Sequence, residues 1–447
     1  MLGFPWTGPT VSWLSALLML PSALWGADSR TASSPSRMIA SPEPDWPQWR
    51  GPRRDGISPE GGLLREWPAE GPPLLWKRDG LGQGYSAPII VRDRIYLAGD
   101  VGDALVVFSL DAAGKTVWAA TNGLSWKNPY PGARASCTYA SGRIYHMNAH
   151  GRVGCYDATN GTELWAVQVH ERFDGKNITW ARAECLVVDG DRVYVTAGGR
   201  NALAAALKAA TGETVWASPP LNFDPPGGAQ PKADQAGYGS PILIEFAGRR
   251  MLVNTSQEHV FAVDAGTGEL LWTHHLPTRY SVIAATPVLV GGSVFVTAPD
   301  TEAGGLLRMV PDGSGIKVKQ IWTTRFDNCH GGVVPVGNEL FGGWYRRGKG
   351  WAAVDLSTGA TRQALDGLTM GSVLAADGLL YCLAQDGEMA LVEPSSTGPY
   401  QVRGRFRLVP QTRNDAWTHP VILNGRLYLR YHQELFCFDV RRLGKGR

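Results

Sequence analysis

The stretch Val260-Phe-Ala-Val-Asp-Ala-Gly-Thr-Gly-Glu-Leu-Leu-Trp272 constrains the fold more than any other feature of the chain. An alternating apolar run ends at an Asp, a Thr-Gly turn follows, and a second extended run closes on Trp. The pattern returns as Val153-Gly-Cys-Tyr-Asp-Ala-Thr-Asn-Gly-Thr-Glu-Leu-Trp165 and as Ala204-Ala-Ala-Leu-Lys-Ala-Ala-Thr-Gly-Glu-Thr-Val-Trp216. A fourth copy reads Val107-Phe-Ser-Leu-Asp-Ala-Ala-Gly-Lys-Thr-Val-Trp118. Self-similarity at a spacing of roughly 40 to 55 residues marks a repeat architecture, because one such unit cannot bury its apolar face without a neighbour.

Ahead of each Asp-Gly-Trp segment lie two short extended runs joined by a Gly or Asp turn, as in Ser86 to Leu97 and Ser136 to Met147. The residue ending the third run is Asp111, Asp157, Lys208, Asp264, Pro311, Asp355, Glu393 and Asp439, which makes eight units. The eighth has no fourth run before Arg447, whereas Leu74-Leu-Trp76 has no earlier runs of its own. One device explains both ends: the N-terminal strand Leu74 to Lys77 completes the last unit against Leu435 to Asp439, so no sheet edge is left open. The predicted fold is all-β, an eight-bladed β-propeller of four-stranded antiparallel blades. Within each blade the Gly permits positive φ, the Asp bonds turn amides, and the Trp packs between neighbouring sheets. No Trp-Asp dipeptide occurs, and the diglycines do not recur at one place in the unit, which disfavours other propeller types.

The net charge of +3 on 447 residues is too small to point to nucleic acid or a membrane surface. The apolar run Val11 to Leu24 precedes the first acidic residue, Asp28, and has the length of a secretory core. Residues 1–27 therefore read as a cleaved signal peptide, 28–44 as a Ser/Pro/Ala-rich disordered linker, and 45–447 as the propeller. No cysteine precedes Cys137, so no lipid anchor is expected near the mature N-terminus, and no further segment reads as transmembrane. The expected location is periplasmic or secreted. The six cysteines are dispersed and lie mostly in predicted strands, where they read as small buried side chains.

The Ala-Pro-x-x-x-x-x-Arg-Ile-Tyr unit of 87–96 and the Asp-x-x-Thr-Gly-x-x-x-Trp unit resemble the repeats of pyrroloquinoline-quinone (PQQ)-type β-propellers over about residues 45–447. One branch of that family consists of quinone-dependent alcohol and sugar dehydrogenases. It implies PQQ on the propeller axis, Ca²⁺ held by Glu and Asn, an Asp base, and a disulfide between adjacent cysteines. Adjacent cysteines are missing here. The other branch consists of non-catalytic scaffolds similar to BamB, which carry a lipid on the first mature cysteine. The reading favours an exported, non-enzymatic scaffold of the envelope, with a PQQ-dependent dehydrogenase as the alternative.

Catalytic signatures of other kinds are absent: no Gly-x-Ser-x-Gly elbow, no His-Glu-x-x-His and no EF-hand loop occur. His146 and His150 flank a turn and read as polar turn residues, not as a metal pair. The candidate site is positional. Aligned on the Pro of the first strand or its equivalent, the third residue before it is Tyr85, Arg134, Ala183, Tyr238, Ala284, His330, Met370 and Trp417. These should face one another around one mouth of the axial channel, with Arg182, Glu184, Asp327, Asn328, Asp415 and His419 beside them. Aromatic faces with Arg and His suit an envelope or secreted protein partner, or a small planar or anionic ligand. Asp415 with His419, and Glu184 with Arg182, are the pairs that could do acid-base work. No metal site is assigned.

Overall fold

The computed structural model describes residues 36–224, 230–410 and 415–442. These residues form eight four-stranded antiparallel blades, at 89–124, 138–168, 187–217, 242–275, 288–324, 334–365, 371–407 and 421–439, numbered here blades 1 to 8. Blade 8 takes its outer strand from the other end of the chain. Leu74–Arg78 pairs antiparallel with Glu434–Asp439, placing Trp76 opposite Cys437 and Lys77 opposite Phe436. Third strands end at Asp111, Asp157, Lys208, Asp264, Asp355, Glu393 and Asp439 as the repeat predicts; in blade 5 the strand runs one residue further, to Asp312.

The repeated Asp, Gly and Trp work as one joint between blades. Oδ1 of Asp264 accepts hydrogen bonds from the N–H groups of Gly266 (2.9 Å) and Thr267 (3.0 Å), which shapes the outer hairpin. Gly268 then takes φ +78°, and a Cβ there would lie 2.4 Å from the ring of Trp216 in the preceding blade. The indole N–H of Trp216 donates to the carbonyl of Ala265 in the same hairpin, at 3.2 Å. Equivalent ring-on-glycine contacts join Trp118 to Gly161, Trp165 to Gly212 and Trp322 to Gly359. Trp76 makes the same contact with Gly114 and donates to Ala112, so the closing strand ties blade 8 to blade 1 as well as completing its sheet. Blade 5 turns through Pro311-Asp312-Gly313 instead, and the indole N–H of Trp272 is left buried without a partner.

This joint predicts an unequal cost for two similar substitutions. Gly268→Ala should lose about 2–4 kcal/mol of stability, from positive φ plus the clash with Trp216. Gly291→Ala, at φ +54° with nothing within 4 Å of the added Cβ, should lose only about 1 kcal/mol. Urea midpoints of the two variants check the difference.

The segment predicted as a disordered linker is ordered from residue 36 onward. Ser36–Met38 pairs antiparallel with 244–246, the inner strand of blade 4; residues 28–35, like the predicted signal peptide, lie outside the described residues. An inner strand has one unpaired edge, and main-chain hydrogen bonds can fill it without any apolar side-chain pattern. The chain then threads the space enclosed by the inner strands. Trp46 exchanges main-chain hydrogen bonds with Ile90 of blade 1, and the carbonyl of Pro47 accepts from Tyr139 of blade 2. Ile57–Ser58 runs parallel to Ala375 and Ala376 of blade 7, and Ser58 Oγ donates to Ile422 of blade 8.

Two arginines anchor this plug. Arg54 donates to the carbonyls of Cys185 (2.7 Å), Pro241 (2.8 Å) and Leu186 (3.2 Å), at the starts of blades 3 and 4. Arg50 donates to Val333 at the start of blade 6 (2.7 Å) and to Asp55 within the plug (2.8 Å). Both are buried, and desolvation holds each guanidinium down at about 10, still charged at neutral pH. The channel is filled, not open.

Candidate functional site

On the side where the first strands begin, the plug floors a cavity of about 1090 Å³. Tyr85, Arg134, Ala183, Tyr238, Ala284, His330, Met370 and Trp417 all line it, because the repeat puts the same register position of every inner strand at the same height. Trp417 is the centre of an aromatic cluster. Tyr85 stacks on it at 5.0 Å with 28° between planes, His330 lies 4.6 Å away and Tyr130 5.2 Å away. Across the cavity Trp180 and Tyr238 sit 6.0 Å apart. The indole N–H of Trp417 is buried and has no partner.

Arg134 is used as a brace. Its guanidinium donates to the carbonyls of Trp180 (2.9 Å), Gly132 (2.8 Å) and Pro129 (3.3 Å), and lies 5.5 Å over the Trp126 ring. It therefore fixes two rim loops while keeping a positive charge at the wall. Burial pushes the Tyr85 and Tyr238 phenols up, so both are neutral hydroxyls at any physiological pH.

The floor was not foreseen. Trp49 of the plug faces the cavity, with the guanidinium carbons of Arg50 and Arg54 each 5.6 Å from its ring and His419 edge-on at 5.1 Å. The signal available was the aromatic and cationic stretch Asp45 to Ile57, which precedes the blades and belongs to none of their repeats. A further wall was missed: the loop 344–350, carrying Trp344, Tyr345, Arg346 and Lys349 into the cavity. Asp327 explains its shape, since the carboxylate accepts from the N–H groups of Tyr345 (3.3 Å), Arg346 (3.0 Å) and Arg347 (3.2 Å). Asn328 is likewise structural, donating to the Gly343 carbonyl at 3.0 Å.

The two expected acid-base pairs fare differently. Asp415 does not meet His419. It pairs with His432 at 3.0 Å and accepts from the Tyr431 hydroxyl at 3.2 Å, because the hairpin at 431–434 folds back over the strand that Asp415 precedes. Within hydrogen-bonding distance of His419 Nε2 lies the carbonyl of His330, at 2.9 Å. Arg182 and Glu184 do pair, at 3.2 Å, but behind the cavity wall with both side chains almost fully buried. Neither lines the cavity. Burial pushes the Glu184 carboxyl up and the Arg182 guanidinium down, each opposed by the charge of the other. His146 is a core side chain between Asn122 (3.0 Å) and the Ala135 carbonyl (3.1 Å).

Burial pushes His330 down to about 4 and His419 to about 3, the latter helped by Arg50. Both imidazoles are neutral at pH 7. An unfolded histidine takes its proton near pH 6.5, so His419 makes stability fall as pH drops from about 6.5 towards 3. His419→Gln should flatten the fall of urea stability with acidification by about 1.4 kcal/mol per pH unit in that window.

The Ca²⁺ ion and quinone implied by the resemblance can be tested against these residues. Among the described residues no three His, Cys, Asp or Glu side chains converge as a metal cage. Glu184 already holds a guanidinium, Asp300 at the rim pairs with Arg346 at 3.1 Å, and all six cysteines are unpaired. This donor set does not fit a Ca²⁺-bound quinone.

A family model described as outer membrane protein assembly factor BamB matches residues 102–365. No curated protein matches the sequence significantly. Among solved structures, BamB from Moraxella catarrhalis is similar with a TM-score of 0.56 and 14% identity, over 83% of this chain and 99% of that one. Quinohemoprotein alcohol dehydrogenase from Comamonas testosteroni gives 0.59 and 14%, over 90% and 81%. The computationally designed Ika8 protein gives 0.53 and 12%, over 83% and 100%. At such identities the likeness is one of fold. No helix of the described residues is long and apolar enough to cross a membrane.

Proposed function

Because the chain belongs to the family described as outer membrane protein assembly factor BamB, we propose that it is an exported, non-enzymatic binding propeller of the cell envelope, holding another protein on the face where the cavity opens. One observation carries this reading: the acid-base groups that the sequence singled out are engaged inside the fold. Asp415 is held by His432 and Tyr431, Glu184 by Arg182, and His330 and His419 are held neutral. Beside the charged side chains of Lys349, Asp366 and Asp386, the cavity offers a broad aromatic surface. Tyr130 and Tyr280 stand exposed at the rim above the half-buried Trp417, an arrangement suited to gripping apolar or aromatic side chains of a partner.

The same walls, with the positive charge of Arg134, would also accept a small planar or anionic molecule. A PQQ-dependent dehydrogenase is the competing reading. Photo-crosslinking from position 280 in envelope extracts should trap a discrete protein partner, and Trp417→Ala should abolish the adduct. Dye reduction with alcohols or sugars after reconstitution with PQQ and Ca²⁺, lost in the same variant, would overturn the proposal in favour of the enzyme.

A further inference from the structure

Between blades 3 and 4, where Glu184 precedes the first strand of blade 3 and Thr196 and Asn254 lie at the ends of the two second strands, is a buried polar relay that lines no part of the cavity. The Glu184 carboxylate accepts from the N–H and Oγ1 of Thr196, each at 3.1 Å, and from Nη2 of Arg182 at 3.2 Å. Thr196 Oγ1 accepts in turn from Nδ2 of Asn254 at 2.6 Å, and the Thr196 carbonyl accepts from Arg182. Oδ1 of Asn254 is buried and has no partner. A carboxylate, an amide oxygen, a hydroxyl and a main-chain carbonyl are the kinds of hard oxygen donor that Ca²⁺ takes. A carboxylate so deeply buried also requires a compensating cation. The cation present is a side chain.

We propose that Arg182 is a built-in substitute for a divalent ion: its guanidinium sits on Glu184 where the surrounding oxygens would otherwise hold a hard cation such as Ca²⁺, and so closes that site to metal in the native protein. Two features go beyond ordinary ion pairing. Nε and Nη1 of Arg182 are themselves buried without partners, so the guanidinium is poorly satisfied as a hydrogen-bond donor and serves chiefly as a charge. The unpartnered amide oxygen of Asn254 is, in turn, what a metal could use and this guanidinium does not. The inference does not depend on what the cavity binds.

The test is Ca²⁺ dependence of folding, with Tb³⁺ luminescence as an independent report of occupancy. The wild type should show no change in Tm on adding millimolar Ca²⁺ to chelator-treated protein. Arg182→Ala should have a lowered Tm that Ca²⁺ raises by several degrees, since a ligand bound only by the native state stabilises it. It should also sensitise Tb³⁺ emission. Adding Glu184→Gln to this variant should remove both responses, and Arg182→Lys, which keeps a charge, should resist Ca²⁺ as the wild type does. Arg182→Ala protein that folds only with Ca²⁺ supports the proposal equally. Indifference of Arg182→Ala to Ca²⁺, whether it folds or not, overturns it, as would a wild-type Ca²⁺ response that Glu184→Gln abolishes.

Discussion

Replacing Arg54 with Ala is expected to cost about 3–5 kcal/mol of stability, more than any substitution on the outer surface. The guanidinium serves three main-chain carbonyls, of Pro241, Cys185 and Leu186, where the inner strands of two blades begin. Each carbonyl stranded in a closed channel costs about 1–3 kcal/mol, and the loss of Arg54 strands those of Cys185 and Pro241 together, while that of Leu186 keeps the Thr138 hydroxyl at 2.7 Å. Gln48, whose Oε1 also accepts from Arg54 at 3.2 Å, loses its partner too. The neighbouring Arg53 is the control. Its bond to Asp55, at 2.7 Å, lies near the surface, and Arg53→Ala should cost less than about 1 kcal/mol. Urea midpoints for the two variants measure the contrast. Similar losses would mean that the plug fills the axis without holding the ring together.

A larger effect separates two truncations. A chain starting at residue 59 lacks the plug but keeps Leu74–Arg78, so blade 8 retains its four strands and the ring stays closed. It should fold as a destabilised monomer with an open channel. A chain starting at residue 79 also loses the closing strand. Glu434–Asp439 then presents an unpaired edge carrying Leu435, Phe436, Cys437 and Phe438, and the joint between Trp76 and Gly114 is gone. Exposed apolar edges pair with other chains, so this protein should associate or aggregate. Size-exclusion profiles of the two truncations decide the matter, and a stable monomer from residue 79 would show that the closing strand is dispensable.

The difference between the two truncations reflects what each segment contributes. Leu74–Arg78 supplies a ladder, an apolar surface and an inter-blade Trp, all of which recur in the other blades. The plug supplies none of these. It is held largely by side chains reaching main-chain carbonyls and by single bridges, such as Trp46 to Ile90, contacts that leave no periodic trace in a sequence.

The same distinction governs the site. The ring of eight positions from Tyr85 to Trp417 was legible because a strand's side chains alternate with period two and the repeat fixes their height; one correct alignment therefore placed all eight. Residues outside that register were not legible. Asp415 and His419 are four apart and both near the cavity, yet a hairpin brings His432 to Asp415 and a neighbouring blade brings the His330 carbonyl to His419. Trp49 and the loop 344–350 reach the cavity from segments that carry no repeat. Sequence separation says nothing about them.

The amino-acid sequence by itself determined the blade count, the closure of blade 8 by Leu74–Arg78 and the inter-blade Asp-Gly-Trp joint, because each is a local pattern repeated at fixed spacing and repetition makes weak signals add. Tertiary structure alone decided that the channel is plugged, that Trp49 floors the cavity, and which charges pair. Those outcomes rest on hydrogen bonds between single side chains and distant main-chain groups, whose free energy depends on burial and geometry that no linear pattern encodes.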